Sequence, residues 1–166
     1  MNANDSNYNP LFIQRAIALS ETAYKTGKGL PIGCVIVKAG KIVGEGHNEI
    51  FYRKNPTSHG EMMAIENACA RSGNILLEDC ELYTTLEPCP MCLGAIYWAK
   101  ISVVYFANTS SQASEIGFDD SFLFEELIKK PLYRKIPGFH KNNAAAFKVM
   151  QDWKMLGTES AQPWQG

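Results

Sequence analysis

Thirty residues separate His59 from Cys89, yet His59-Gly60-Glu61 and Pro88-Cys89-Pro90-Met91-Cys92 read as two halves of one site, so the chain must fold to bring two distant segments together. Pro90 suits the start of a helix running to about residue 100, and residues 59–71 favour a helix that stops at Ser72-Gly73. Cys89 falls just before the first turn and Cys92 inside it, so both sulfurs can face one ion while the helix N-terminus stabilises their thiolates. His59 takes the corresponding place on the other helix. One imidazole and two thiolates give zinc three protein ligands and leave its fourth tetrahedral position open, the pattern of a catalytic centre. Two helices presenting their N-termini to the same side of a sheet would satisfy this requirement.

The rest of the chain supplies such a sheet. Pro10 opens a first helix, with Ile13, Ala16, Ile17 and Tyr24 at roughly helical spacing and Gly27 as its stop. Residues 33–38 and 41–45 are β-branched runs joined by Ala39-Gly40, a pair able to take positive φ, and predict a hairpin. A loop with Pro56 follows. Strands are expected at 81–84 and 102–106, a polar loop at 108–114, a helix at 121–129, a fifth strand at 132–136 and a helix at 144–155. Hairpin, then alternating helix and strand, predicts an α/β fold: a three-layer α/β/α domain around a central mixed sheet of about five strands. All 166 residues are expected to form one domain, with 157–166 a flexible or exchanged tail.

Composition narrows the partners. Lys+Arg 16 against Asp+Glu 17 leaves a formal charge of -1, so no global field draws in nucleic acid or an anionic membrane, and a small neutral substrate fits better. The cluster Lys129, Lys130, Arg134, Lys135 and Lys141 reads as a solvated face, with phosphate contact as its alternative. Residues 1–9 lack the basic and apolar parts of a secretory signal and no apolar run reaches transmembrane length, which points to the cytoplasm. Five cysteines without a disulfide framework suit metal ligation for some and burial for the rest. Cys34, Cys69 and Cys80 stand at no spacing that would close the site with a fourth ligand, and are expected to be buried.

Glu61 is the group that moves protons. Zinc carrying two thiolates acidifies its water less than zinc held by three imidazoles, so a nearby base is needed. Residues two apart in a helix do not share a face, which places His59 at the cap, outside helical geometry, with Glu61 reaching into the pocket. Its role would be general base toward the bound water, then acid toward a ring nitrogen and the departing amine. Taken singly, His-x-Glu is more often a capped-helix feature, and Cys-x-x-Cys also serves redox chemistry, structural zinc or packing. Together, in this order, they match the zinc deaminase signature.

At these residues the chain resembles the cytidine-deaminase-like superfamily, over about residues 11–124. The run Tyr83-Thr84-Thr85-Leu86-Glu87-Pro88-Cys89-Pro90-Met91-Cys92-Leu93-Gly94-Ala95-Ile96-Tyr97-Trp98-Ala99, with Gly117-Phe118-Asp119-Asp120-Ser121-Phe122 after it, looks like bacterial guanine deaminases. Pro31-Ile32-Gly33, Gly46-His47-Asn48 and His59-Gly60-Glu61 look more like fungal cytosine deaminases. The resemblance implies a zinc ion on His59, Cys89 and Cys92, with Glu61 and Asp120 catalytic. It further implies Asn48 hydrogen-bonded to the base, Trp98 as an aromatic wall, and Ile32 and His59 lining the substrate site. Each of three has a structural alternative: Asn48 as a turn cap, Trp98 as core, Asp120 as cap of the helix beginning near Ser121.

Ile32 departs from the guanine deaminases, which carry Phe there. Those enzymes end in an aromatic residue on an exchanged segment that closes the neighbouring subunit's pocket, and Trp164 stands where a substitute would be. The implied reaction is hydrolysis of guanine to xanthine and ammonia, by a homodimer as in the relatives. The alternatives are deamination of cytosine or another amino-heterocycle, adenosine deamination on transfer RNA, and a zinc-stabilised module without catalysis.

Overall fold

The computed structural model describes residues 8–155, so Trp164 and the 157–166 tail lie outside the described residues. The chain divides into two compact units, one reaching to Ser121 and the other beginning at Phe122.

The first unit is built on one four-stranded sheet: β1 (Gly33–Lys38), β2 (Lys41–His47), β3 (Cys80–Leu86) and β4 (Val103–Asn108), in the order β2-β1-β3-β4. β1 runs antiparallel to β2 and β3, and β3 runs parallel to β4, so the sheet is mixed as expected. Ala39 and Gly40 both take positive φ, 48° and 73°, the turn whose twist matches a tight hairpin. A register shift between Ile36 and Val37 interrupts the β1–β2 pairing.

β1 is apolar along nearly its whole length because both of its faces are covered. Cys34 and Ile36, with Leu82 of β3, pack against Ala64 and Ala68 of helix α3 (Gly60–Ser72) and Ile96 of helix α4 (Pro90–Trp98). Val35, Val37 and Tyr83 point the other way, against Phe12, Ile13 and Leu19 of helix α1 (Pro10–Lys25). Alternation along each strand therefore sorts the side chains into the two outer layers of an α/β/α sandwich. α3 lies hard against β2, where Gly46 gives it room: a Cβ there would overlap Ala64 N and Gly60 O and come within 2.7 Å of Met63 Cβ.

Several elements differ from the sequence reading. The 108–114 stretch is not all loop but holds helix α5 (Ser110–Glu115), nucleated by a Thr109–Gln112 capping box. A single turn, α2 (Ile50–Arg53), interrupts the loop before Pro56 and is braced by the Glu49–Arg53 ion pair. The fifth strand is absent among the described residues. Residues 131–133 form a 3-10 turn instead, and Pro131 and Pro137 bracket that segment with two positions that cannot donate to a ladder.

The second unit contains most of helix α6 (Ser121–Ile128), that 3-10 turn and helix α7 (Ala144–Met155). Glu126 binds it together locally, accepting from Lys129 Nζ and from the backbone N–H of Lys135. None of residues 122–155 is buried.

Candidate active site

α3 and α4 both begin at the same end of the sheet, and each starts from a residue in extended conformation. His59 has φ −73°, ψ 158° before α3, and Cys89 has φ −64°, ψ 167° before α4. Neither side chain caps its own helix, which leaves both directed elsewhere. They converge: His59 Nδ1 lies 3.7 Å from Cys89 Sγ and 3.5 Å from Cys92 Sγ. One donor atom from each of the three residues falls within 4.8 Å of the others, as around a shared ion, and this is the one such trio among the described residues. An imidazole nitrogen with two sulfurs at that spacing fits zinc, and three donors leave its fourth position for a non-protein ligand.

The charges are arranged for cation binding. The Cys89 thiol is driven down to about 4, chiefly by its hydrogen bond with Cys92 and further by His59. Cys92, bonded to Cys89, buried and near Glu61, is pushed far up. His59 is raised, first by its hydrogen bond to Cys89 and against the effect of burial.

Glu61, two residues into the site from His59, is 3% exposed. Its Oε1 accepts a hydrogen bond from Thr84 Oγ1 at 3.1 Å, and Oε2 lies 3.5 Å from Cys92 Sγ. Burial is the main reason its carboxyl sits above the usual carboxylate range, as a group that must take up and release a proton requires.

These groups open into a cavity of about 240 Å³ lined by His59, Glu61 and Cys89 together with Leu30, Ile32 and Asp120. The 117–120 stretch also lines it, and the β4–α5 connection that leads there is fastened to the end of β3 and to the loop that follows. Asn108 Nδ2 donates to Thr85 O at 2.7 Å, and the Ser110 N–H donates to Glu87 Oε2 at 2.9 Å. It is Asp119, not Asp120, that accepts from the Ser121 N–H at the start of α6, at 3.0 Å. Asp120 is therefore left to the cavity, its carboxyl raised by burial and by the nearby Cys89.

Asn48 is wholly buried and is not itself among the residues lining the cavity; its backbone N–H donates to the carbonyl of Ile32, which is, at 2.8 Å. Its Oδ1 faces the N–H groups of Leu30 and Ile50, which fixes that atom as the acceptor, and its Nδ2 has no hydrogen-bond partner. The turn-cap reading thus accounts for the oxygen but not for the nitrogen. Trp98 is neither core nor cavity wall within this chain: it ends α4 61% exposed. It lies six residues beyond the inward-facing Cys92, which at 3.6 residues per turn turns it about 120° away from that side. Thr84 escaped the motif reading, although the period of two from buried Leu82 would have placed it on the α3/α4 face.

A His-Cys-Cys donor trio beside a buried carboxylate, opening on a cavity large enough for a heterocycle, fits a zinc-dependent aminohydrolase, an enzyme that cleaves C–N bonds. The chain belongs to the family described by the cytidine and deoxycytidylate deaminase zinc-binding region, which matches residues 7–108. It is 43% identical to guanine deaminase of Bacillus subtilis over 143 residues, covering 86% of this chain and 92% of that one. The crystal structure of guanine deaminase from Bacillus subtilis superimposes with a TM-score of 0.88 at 41% identity, over 92% of this chain and 97% of that one. A tRNA-specific adenosine deaminase of Aquifex aeolicus is also 43% identical, but over 96 residues, 58% of this chain and 63% of its own length.

Proposed function

We propose that this enzyme deaminates the free base guanine to xanthine. The observation that carries the choice is the placement of Gly117-Phe118-Asp119-Asp120 on the cavity beside Glu61 and His59. The similarity to guanine deaminase covers 86% of this chain and extends past this segment, whereas that to a tRNA-specific adenosine deaminase of Streptococcus pyogenes covers 75% and that to the Aquifex enzyme 58%.

His59 Nδ1, Cys89 Sγ and Cys92 Sγ would hold the zinc, which when bound would supply a Lewis acid to activate water for attack. Glu61 takes the first proton of the attacking water and passes it to a ring nitrogen as the C–O bond forms, then takes the second from the oxygen now on the ring and gives it to the amino group, so that the C–N bond breaks, ammonia leaves and the ring keeps the oxygen as a carbonyl. Asn48 Nδ2 donates to the base, which gives its hydrogen its missing partner. Asp120, partly desolvated, accepts from the amino group and steadies it as it departs. Ile32 and Leu30 supply an apolar wall for the ring face.

A homodimer belongs to this reading. Residues 122–155 bury nothing, and Leu127, Ile136, Phe147 and Trp153 are each more than half exposed, more bare apolar surface than a lone soluble chain ordinarily keeps. A second copy covers it, and light scattering should give twice the chain mass. No helix among the described residues is long and apolar enough to cross a membrane, and we place the enzyme in the cytoplasm.

Ammonia release from guanine, cytosine, adenine, their nucleosides and a transfer RNA tests the assignment. Guanine should give the highest kcat/KM. A clear preference for cytosine, or activity confined to the transfer RNA, would overturn it.

A further inference from the structure

Glu61 must keep its carboxylate in one orientation while a proton comes and goes, and it is carried on a side chain with three rotatable bonds. Two side chains lie within hydrogen-bond reach of it: Cys92 Sγ, 3.5 Å from Oε2, and Thr84 Oγ1, 3.1 Å from Oε1. Only one of these survives metal loading. Cys92 binds metal as a thiolate and then has no proton to give. The Thr84 hydroxyl keeps its hydrogen.

Thr84 itself cannot wander. It is fully buried in β3, paired across one edge with Cys34 and across the other with Phe106, in the middle of the sheet. Two residues after Leu82, it presents its side chain to the layer that holds α3 and α4. A hydroxyl at that position in an otherwise apolar layer is itself an anomaly, and its hydrogen bond to Glu61, 23 residues away in sequence, answers it.

We propose that Thr84 is the positioning residue of the proton-transferring carboxylate: its hydroxyl fixes Glu61 Oε1 to the sheet and so reserves Oε2 for exchanging protons with water and the base. The proposal rests on the deaminase reading but not on which base is the substrate. It assigns the two oxygens different duties. Oε1 is an anchor, bonded to the most rigid element of the fold, and Oε2 faces the side where Cys92 and the metal site lie.

The test compares Thr84→Val, which keeps the shape and removes the donor, with Thr84→Ser, which keeps the donor. Both should retain one zinc per chain by elemental analysis. Thr84→Val should lose about tenfold to a hundredfold in kcat, the size expected from a misplaced catalytic group, with KM within about twofold, and Thr84→Ser should recover most of that loss. Crystal structures of the zinc-loaded variants give a readout independent of turnover: the Glu61 carboxylate should be rotated or split between conformers in the valine variant and single in the serine variant. Should the valine chain fail to accumulate, Thr84→Ala is read the same way. Unchanged kcat with Glu61 in place, or equal loss of zinc and activity in both variants, would overturn the proposal. A wild-type enzyme silent on every base would defeat the deaminase reading alone, and the orientation of Glu61 in the crystals would still decide the role of Thr84.

Discussion

His59 and Cys89 hold the same station on two different helices, each the last extended residue before the first turn, and their side chains meet at 3.7 Å. Were either residue within its helix, its side chain would lie along the helix flank and the donor trio would not close. The metal site is thus a property of two helix starts as much as of three side chains.

Removing a ligand should therefore cost both metal and stability. Cys89→Ala and His59→Ala are expected to drop the zinc content from about one per chain to a small fraction, measured by elemental analysis. A strong chelator should lower the melting temperature of the wild type and leave that of Cys89→Ala nearly unchanged, since only the former has bound metal to lose.

Glu61→Gln separates chemistry from structure. The amide keeps the size of the side chain and can still occupy the site, but it takes up no proton. Zinc content and melting temperature should match or exceed the wild type, because a buried carboxylate is removed, while kcat falls by about two to four orders of magnitude. Retention of turnover within tenfold would show that another group moves the proton.

Asn48 and Asp120 should fail differently. Asn48→Ala removes a donor to the base together with the acceptor for the Leu30 and Ile50 N–H groups, so KM should rise and the melting temperature fall. Asp120→Asn leaves the fold intact, because Asp119 supplies the contact to Ser121, and it should depress kcat with zinc retained. Steady-state kinetics beside thermal melts distinguish the two patterns.

Gly46→Ala tests the docking of α3 on β2. The added methyl would meet backbone atoms of Gly60 and Ala64, which have no room to retreat without moving the helix that carries His59 and Glu61. A loss of about 2 kcal/mol or more in urea unfolding is expected, with weaker zinc binding alongside.

Arg15 and Glu45 tie α1 to β2 through two hydrogen bonds of 2.7 and 2.8 Å. The Arg15 bond is the main cause holding the Glu45 carboxyl below its ordinary value. A depressed folded-state value means the contribution is present above the unfolded carboxyl range and disappears as the pH falls through the folded one. With side chains 46% and 34% exposed, solvent screening limits it to about 1 kcal/mol or less. Glu45→Gln should therefore lower stability slightly at pH 7, less in high salt, and not at all in strong acid.

Much of this site could be read from local sequence because its parts announce themselves locally. A proline after Cys89, a glycine after His59 and the two-residue gap between cysteines each fix geometry within one turn. The α3 stop at Gly73 and the Ala39-Gly40 turn were legible for the same reason, since φ near 66° and 73° at those glycines is a matter of single residues. What escaped was set by other segments. Thr84 matters through a partner 23 residues away, and Trp98 sits where helical phase, not composition, put it. The stretch 132–136, with Leu132, Tyr133 and Ile136 around two basic residues, allows a strand, but a strand needs a neighbouring edge, and among the described residues the second unit has only helices and turns to offer. The α5 capping box was visible in Thr109-x-x-Gln112 and was hidden by the polarity of its surroundings.

The sheet order β2-β1-β3-β4 sets the two ligand-bearing helices on opposite limbs of the chain: α3 comes down from β2, and α4 departs from β3. The stretch 73–79 is the covalent bridge between those limbs, and it lies at the surface except for Leu77. A protease that severed that bridge would not set the limbs free. β1 would still be stitched to β3, and an ion held by His59 on one piece and the two cysteines on the other would act as a rivet, so the nicked enzyme should travel as one particle and come apart at a lower denaturant concentration once a chelator draws the rivet out.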